Sequence, residues 1–454
     1  MNAEAGPERG PARSTFVELL AKGASSFVPD AFSIASVLTF ATLGAAVLWA
    51  GASPETAVRA WGRASGPCCH VVDADRLCGV RGVSPRRLPA HGPTHRRAIA
   101  AWPKTPAQAV GLAAFTSMGI SWLNWGVGLV ASAILVKSIA ARRRDVNYPL
   151  LVAAGYLGMG VTWHAGPSGT VPLLFAGRDS FMVRDGLLAA PVPLSETIFS
   201  PGNLIFTAVA ALVLGFVAVM LARKPGVFPP PPLEPPPPQA ADTSAKPATF
   251  AEWLSRTRLV TLALGLLGLL FLFLESRAGT FSLSLDMVNL IVLALALILH
   301  RNAAALLAHV EEAARPLHGV VLQFPLYAGI YGVIKDTGLA NRLAEVFLSV
   351  ATTDSLPTVV FAYSAFLNYW VPSGGAKWAM EAPYLLKSAA ALDVSPARIA
   401  MAYSYGDMAT NLIQPFWAIP LLAVARLEFK HILGYELIFF VVYSALVVGA
   451  LRLI

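Results

Sequence analysis

Two short strings carry most of the chemistry this sequence offers. One reads Trp163-His164-Ala165-Gly166-Pro167-Ser168-Gly169-Thr170, the other Trp370-Val371-Pro372-Ser373-Gly374-Gly375. Proline suits the first position of a helix, where a missing N–H costs nothing. The residues after it then offer unpaired N–H groups and hydroxyls at a helix N-terminus, which carries roughly +0.5 of a charge and holds anions readily. Ser168, Gly169, Thr170, Ser373, Gly374 and Gly375 are therefore the candidate binding residues, and two such termini meeting would suit one small carboxylate. The plainer reading makes each string a packing kink with its serine bonded to its own backbone. Recurrence of the string in both halves of the chain favours the first.

The ionisable residues nearby offer proton chemistry. His164 suits a proton relay, histidine being the side chain that changes charge most readily near neutral pH, or equally a structural bond to a carbonyl. Lys377 and Glu381 stand at i, i+4 and so share a helix face, where they can simply pair. Further on, Asp407, Thr410, Asn411 and Gln414 fall three or four apart and form one polar stripe on an otherwise apolar helix. Facing a cavity, that stripe would add Asn411 to the binding residues and Asp407 to the proton or ion candidates, with His164 and Glu381. Facing another helix, it would only bond across an interface. Ser117, Ser121 and Asn124, with Trp122 and Trp125, form a weaker counterpart in the first half.

The elements that hold these residues are membrane helices. Of 454 residues, 56% are apolar and 13% are charged, about half the charged share of a soluble domain. Stretches such as 31–50, 204–221, 259–274 and 433–448 are long, apolar and almost free of charge, which matches the ~30 Å hydrocarbon core of a bilayer. The sequence predicts an all-α polytopic membrane protein with roughly 9–12 spans, two of them re-entrant or broken, in two inverted structural repeats. The net charge of +8 sits in short loops such as Arg142-Arg143-Arg144, as the positive-inside bias requires, so nucleic acid is not an expected partner. No cleaved signal peptide is expected, because residues 1–30 lack a short apolar region with a small-residue cleavage site.

Four regions follow: a cytoplasmic segment (1–30), a first transmembrane repeat (31–224), a Pro-rich aqueous linker (225–252) and a second transmembrane repeat (253–454). Eight prolines in the ten residues 229–238 form a stiff polyproline II strut that no bilayer accepts. One stretch does not fit. Residues 62–100 are rich in arginine and hold all three cysteines, between flanks of ordinary membrane sequence. A translated frameshift over a lost span accounts for its abrupt ends better than a long aqueous loop does. A metal site from Cys68, Cys69, His70 and Cys78 lacks ligand spacing, and no metal or cofactor is expected anywhere in the chain.

With these residues in view, the chain resembles the short-chain fatty acid transporter family of AtoE type, in the ion transporter superfamily of inverted-repeat carriers. The likeness rests on 147–156, 163–169, 368–375 with Trp378, and the Gly406-Asp407 to Pro415 segment. It implies a secondary transporter, not an enzyme, that takes small monocarboxylates such as acetoacetate or butyrate across the bacterial inner membrane. It also implies two re-entrant hairpins whose tips carry the Pro-Ser-Gly strings and line the substrate site. The expected partners are that substrate, a coupling H+ or Na+, and the lipid bilayer; a homodimer stays open. Few basic residues lie in the apolar spans, which agrees with one substrate charge. The alternatives are a carrier of a dicarboxylate or another anion, a cation antiporter of the same superfamily, and, more remotely, an intramembrane hydrolase using Ser373 with Lys377 as base.

Overall fold

The structure is a computed structural model that describes residues 31–65, 103–177, 180–222, 249–279, 281, 285–300, 302–307 and 318–452. The expected N-terminal segment, residues 66–100 of the arginine-rich stretch and the proline strut lie outside the described residues. So do the candidate ligands Cys68, Cys69, His70 and Cys78. Residues 62–65, where that stretch begins, close a helix over 54–65.

Every regular element among the described residues is helical, as lipid demands of a chain whose backbone must satisfy itself. The first half runs α1 (Ala31–Leu48), α2 (Pro106–Leu123), α3 (Trp125–Ala140), α4 (Tyr148–Val161), α5 (Thr170–Ala176) and α6 (Pro201–Leu221). The second runs α7 (Arg258–Ala278), α8 (Leu285–Leu299), α9 (His318–Asp336), α10 (Leu339–Val350), α11 (Leu356–Trp370), α12 (Gly374–Ala391), α13 (Pro396–Asn411), α14 (Ile419–Ala425) and α15 (Phe429–Ala450). Side-chain caps start several of them: Asn147 Oδ1 accepts the Leu150 N–H at 3.2 Å and Ser200 Oγ accepts the Asn203 N–H at 3.2 Å. Helices α6, α7 and α15 are long and apolar enough to cross a membrane. α7 turns Leu266, Leu267, Phe273 and Leu274 outward, an apolar face that suits lipid rather than water.

Four interruptions organise the interior. In the first half α3 folds back on α2 about Asn124: a methyl group on Gly128 would lie within 2.1 Å of Ser121 Oγ. Next, α4 and α5 are separated by residues 162–169, and α5 packs at most weakly back on α4. The second half repeats that order. There α12 folds back on α11, bringing Tyr363 Oη to 2.8 Å from Tyr384 Oη. Then α13 and α14 are separated by residues 412–418. Each hairpin packs its first arm on the helix beyond it, α2 on α4 and α11 on α13.

This order corrects one expectation. The second Pro-Ser-Gly string is a hairpin tip, but the first lies in the interrupted helix α4–α5. By order along the chain, its counterpart is the 412–418 interruption, and the counterpart of the second string is Asn124. A helix of either kind needs proline, glycine or a capping side chain where it stops, so a shared tripeptide marks an interruption without saying which.

Candidate functional site

The four interruptions meet. A methyl group on Gly375 would lie 2.8 Å from Thr170 Cγ2, and one on Gly374 would lie 2.7 Å from His164 Cε1. Only glycine lets the hairpin tip approach the broken helix so closely. The Trp125 N–H, beside the first hairpin tip, donates to Ser168 Oγ at 3.2 Å. The rings of Trp125 and Trp417 stand 5.3 Å apart, and that of Trp163 lies 6.1 Å from Trp125. Tyr156 Oη on α4 donates to the Asn411 carbonyl at 3.0 Å.

The two Pro-Ser-Gly strings differ at this meeting point. α12 starts at Gly374 and runs for 18 residues, with Ser373 in extended backbone and its side chain not used as a cap. Its first internal donor is the Lys377 N–H, which bonds the Ser373 carbonyl at 2.9 Å. The N–H groups of Gly374, Gly375 and Ala376 find no acceptor among the described residues. The half-buried Ser373 hydroxyl stands beside them. α5, by contrast, has only seven residues, too few for a substantial end charge. Its donors are largely engaged: the Gly169 N–H bonds the Gly166 carbonyl at 2.8 Å, and the Val171 N–H bonds His164 Nε2 at 3.1 Å. Ser168 is buried, with its carbonyl accepting from Trp163 Nε1 at 3.1 Å.

His164 is held on every side. Because Nε2 accepts from Val171, the ring proton belongs on Nδ1, which faces Asp407 Oδ2 at 3.1 Å. Trp163 stacks on the imidazole with centroids 4.6 Å apart. Asp407 Oδ1 in turn stands 3.5 Å from Lys377 Nζ. Lys377 also donates to the Ser364 carbonyl and to Ser364 Oγ, both at 2.8 Å, and lies 4.4 Å above the Tyr403 ring. His164, Lys377 and Asp407 are all fully buried. Sequence spacing offered a Lys377–Glu381 pair; instead Lys377 reaches across to α11 and α13. Both carboxyl oxygens of the buried Glu381 lack a hydrogen-bond partner among the described residues. Lys377 Nζ bonds Ser364 and not the Ser373 hydroxyl, so the nucleophile–base pair that a Ser-Lys hydrolase needs is not formed among the described residues.

The polar stripe of α13 faces inward. Asn368 Nδ2, on α11, points at the Asp407 carbonyl, Asn411 Oδ1 and Thr410 Oγ1, at 2.8, 2.8 and 3.1 Å. Gln414 Nε2 donates to Asn411 Oδ1 at 3.3 Å. These contacts join α13 to α11, so much of the stripe bonds between helices, while Asp407 reaches the meeting point. Asn411 is buried and already engaged.

Sequence reasoning missed three positioning residues. Ser364 receives Lys377. Asn368 ties the second hairpin to α13. Asn203 on α6 donates to the Ala165 carbonyl at 3.0 Å and accepts from Tyr405 Oη at 2.8 Å, holding the first break in place. A lone asparagine in an apolar run was the available signal for two of them. Among the described residues no group of three His, Cys, Asp or Glu side chains is arranged to hold a metal ion.

Known proteins resemble this chain over most of its length. Residues 14–454 match the family described as short chain fatty acid transporter. A protein of Escherichia coli (strain K12) described as a "putative short-chain fatty acid transporter" is 32% identical over 415 residues, 90% of this chain and 93% of that protein. One of the same description from Haemophilus influenzae is 33% identical over 420 residues, again 90% of this chain and 93% of the other. The crystal structure of the Alcanivorax borkumensis YdaH transporter covers 92% of this chain and 97% of its own, with a TM-score of 0.53 at 15% identity, a likeness of fold. An all-helical chain with apolar spans, broken helices at its centre and relatives of this kind is a multi-pass membrane protein, and it belongs to the short-chain fatty acid transporter family.

Proposed function

We propose that the protein carries small monocarboxylates, with acetoacetate and butyrate as the substrate type, into the cell across the bacterial inner membrane, and that the carboxylate binds at the N-terminus of α12. The observation that carries this reading is the set of uncommitted donors there: three successive N–H groups and the Ser373 hydroxyl, beside Thr170. Charge-assisted bonds of this kind contribute ~1.5–3 kcal/mol each before desolvation. Ser168, Gly169 and Asn411 then act as the wall that shapes the site rather than as its donors.

Charge balance favours one carboxyl group over two. Lys377 is engaged by Asp407, and the other near group, His164, is engaged on both nitrogens. A second substrate charge would find no uncommitted cation there among the described residues. The two halves, with hairpin and broken helix in the same order, are read as the inverted repeats of an alternating-access carrier. Coupling to a proton, through the groups His164, Asp407 and Glu381, suits a site with so many buried ionisable side chains. No step of this cycle needs a covalent intermediate, so the protein is read as a carrier and not as an enzyme.

Uptake of labelled butyrate, acetoacetate and succinate into proteoliposomes tests the reading. Saturable uptake of the first two, and its loss in Ser373→Ala, are expected. Equal uptake of succinate, or unchanged butyrate uptake in Ser373→Ala, would overturn it.

A further inference from the structure

We infer that Glu381 is the proton-binding group of the transport cycle, and that it acts on the substrate through Lys377, which turns between Glu381 and Asp407. The inference rests on the carboxylate reading of the α12 N-terminus and gives that site its coupling partner.

Glu436 on α15 is also buried with both oxygens unpartnered among the described residues, but of the acid–base groups the sequence singled out the geometry separates three. His164 uses both ring nitrogens, so a second proton would break its bond from Val171. Asp407 is fixed between His164 and Lys377. Glu381 alone of the three has both oxygens without a partner among the described residues, although it is 1% exposed. An anion there, inside a membrane protein, gains stability only if a cation turns to it. Lys377 is the cation in reach, one helical turn back on the same face. The groups acting on Glu381 are Lys377 on its own helix and Asp407 on α13, and its charge is felt by Tyr363 of α11, Tyr384 of α12 and Tyr403 of α13. No charged side chain of α5, α9 or α10, which also pack on α12, acts on it among the described residues.

The consequence reaches the substrate because Asp407 abuts the binding site. Its two oxygens would lie 3.4 and 3.5 Å from a methyl group on Gly374. With a proton on Glu381, Lys377 stays on Asp407, as observed, and the first turn of α12 accepts a carboxylate. When the proton leaves, Lys377 turns to the Glu381 anion. Asp407 is then uncompensated beside the bound carboxylate and repels it. Proton and substrate anion therefore enter and leave together, one of each, with no net charge moved. The Tyr403 ring beneath Lys377 Nζ offers the ammonium a cation–π hold during the turn.

Butyrate binding to the purified full-length protein in detergent, followed by calorimetry and by a pH-indicator dye in weak buffer, tests this. The wild type is expected to take up close to one proton per butyrate bound. Its affinity should tighten as pH falls, by up to ~10-fold per pH unit, as linkage requires. Glu381→Gln, which mimics the protonated state, should bind butyrate with affinity that does not vary with pH and without proton uptake. Glu381→Asp, which keeps the acid should the glutamine variant fail to fold, should retain the proton with a shifted pH midpoint. Proton uptake that persists in Glu381→Gln, or a pH profile unmoved in Glu381→Asp, would overturn the assignment. A wild type that binds no butyrate at all would instead overturn the carboxylate reading beneath it. A wild type that binds butyrate without proton uptake or pH dependence would overturn the coupling alone.

Discussion

Ser117, on the first arm of the α2–α3 hairpin, donates to the Gly155 carbonyl of α4 at 2.7 Å; Ser364, on the first arm of the α11–α12 hairpin, donates to the Tyr403 carbonyl of α13 at 2.8 Å. Each serine thus ties a hairpin to the broken helix that follows it. Close helix crossings accompany both bonds, at Gly158 against the Ser117 carbonyl and at Gly406 against the Phe361 carbonyl. Beyond these roots the hairpins diverge. The second arm of the first hairpin, α3, carries Lys137 in its last turn and otherwise small or apolar residues with Ser132 and Ser138. The second arm of the second hairpin buries Lys377 and Glu381 within its first eight residues. One hairpin is built to pack and the other to handle charge, so two hairpins tied to their broken helices in the same way need not share the chemistry evenly.

Removing charge from the second hairpin is the strongest way to break that contrast. Lys377→Met leaves Asp407 buried without its cation, and losing one partner of a buried pair costs about 3–5 kcal/mol. Thermal unfolding in detergent should show a large fall, and butyrate uptake should vanish. Lys377→Met with Asp407→Asn should recover stability but not uptake. Unchanged stability in the single variant would remove the special standing of α12.

A steric test sharpens the contrast next. Gly375→Ala meets Thr170 Cγ2, and uptake should fall about tenfold, a loss of ~1.4 kcal/mol in substrate or transition-state stabilisation. Thr170→Ser removes that methyl group, so the double variant should regain most of the rate. A double variant no better than the single would mean that the hairpin tip and the first break do not touch during transport.

The two serines give a smaller effect of matched size. Ser117→Ala and Ser364→Ala should each cost about 1–2 kcal/mol in thermal unfolding, because each ties a buried hairpin to its broken helix. Only Ser364→Ala should also move the pH profile of uptake, since Ser364 receives Lys377. Equal pH profiles would make the second serine as purely structural as the first.

The smallest expected effect lies outside the spans, in the link between α5 and α6. Burial works against the Asp185 carboxylate, but the Tyr331 hydroxyl at 2.5 Å and Lys335 at 2.9 Å more than offset this and hold its pKa below the ordinary carboxylate value. A lowered folded-state pKa gives stability that is present above the unfolded value near 4 and lost as pH falls through the folded one. Asp185→Asn should therefore lower thermal stability at neutral pH by ~1 kcal/mol or less and make no difference in strong acid. A variant penalty that grew as pH fell would contradict the pairing.

Much of this was legible in residue types. Charge-poor runs announced helices, Pro-Ser-Gly announced interruptions, and the Asp407–Gln414 spacing announced an inward stripe. The pairing of interruptions was not legible, because the first hairpin turns on Asn124 with no proline to mark it, and Gly126 and Gly128 just beyond read as ordinary small residues of an apolar run. Lys377 and Glu381 at i, i+4 read as partners on one helix. Burial decided otherwise, since the α13 carboxylate and the Ser364 oxygens surround Lys377 Nζ from across the packing interface. That choice depends on which helices meet, and local spacing does not contain it. The same holds for Asn203, whose carbonyl partner Ala165 lies 38 positions away.

Protection of a cysteine placed at Ser373 tests the carboxylate site most directly. In Ser373→Cys protein, labelling by a small charged thiol reagent is compared with and without butyrate, against the unsubstituted chain, whose three native cysteines set the background. Butyrate should slow labelling at concentrations that saturate uptake, while succinate leaves the rate unchanged. Labelling that proceeds equally fast in saturating butyrate would contradict binding at the α12 N-terminus.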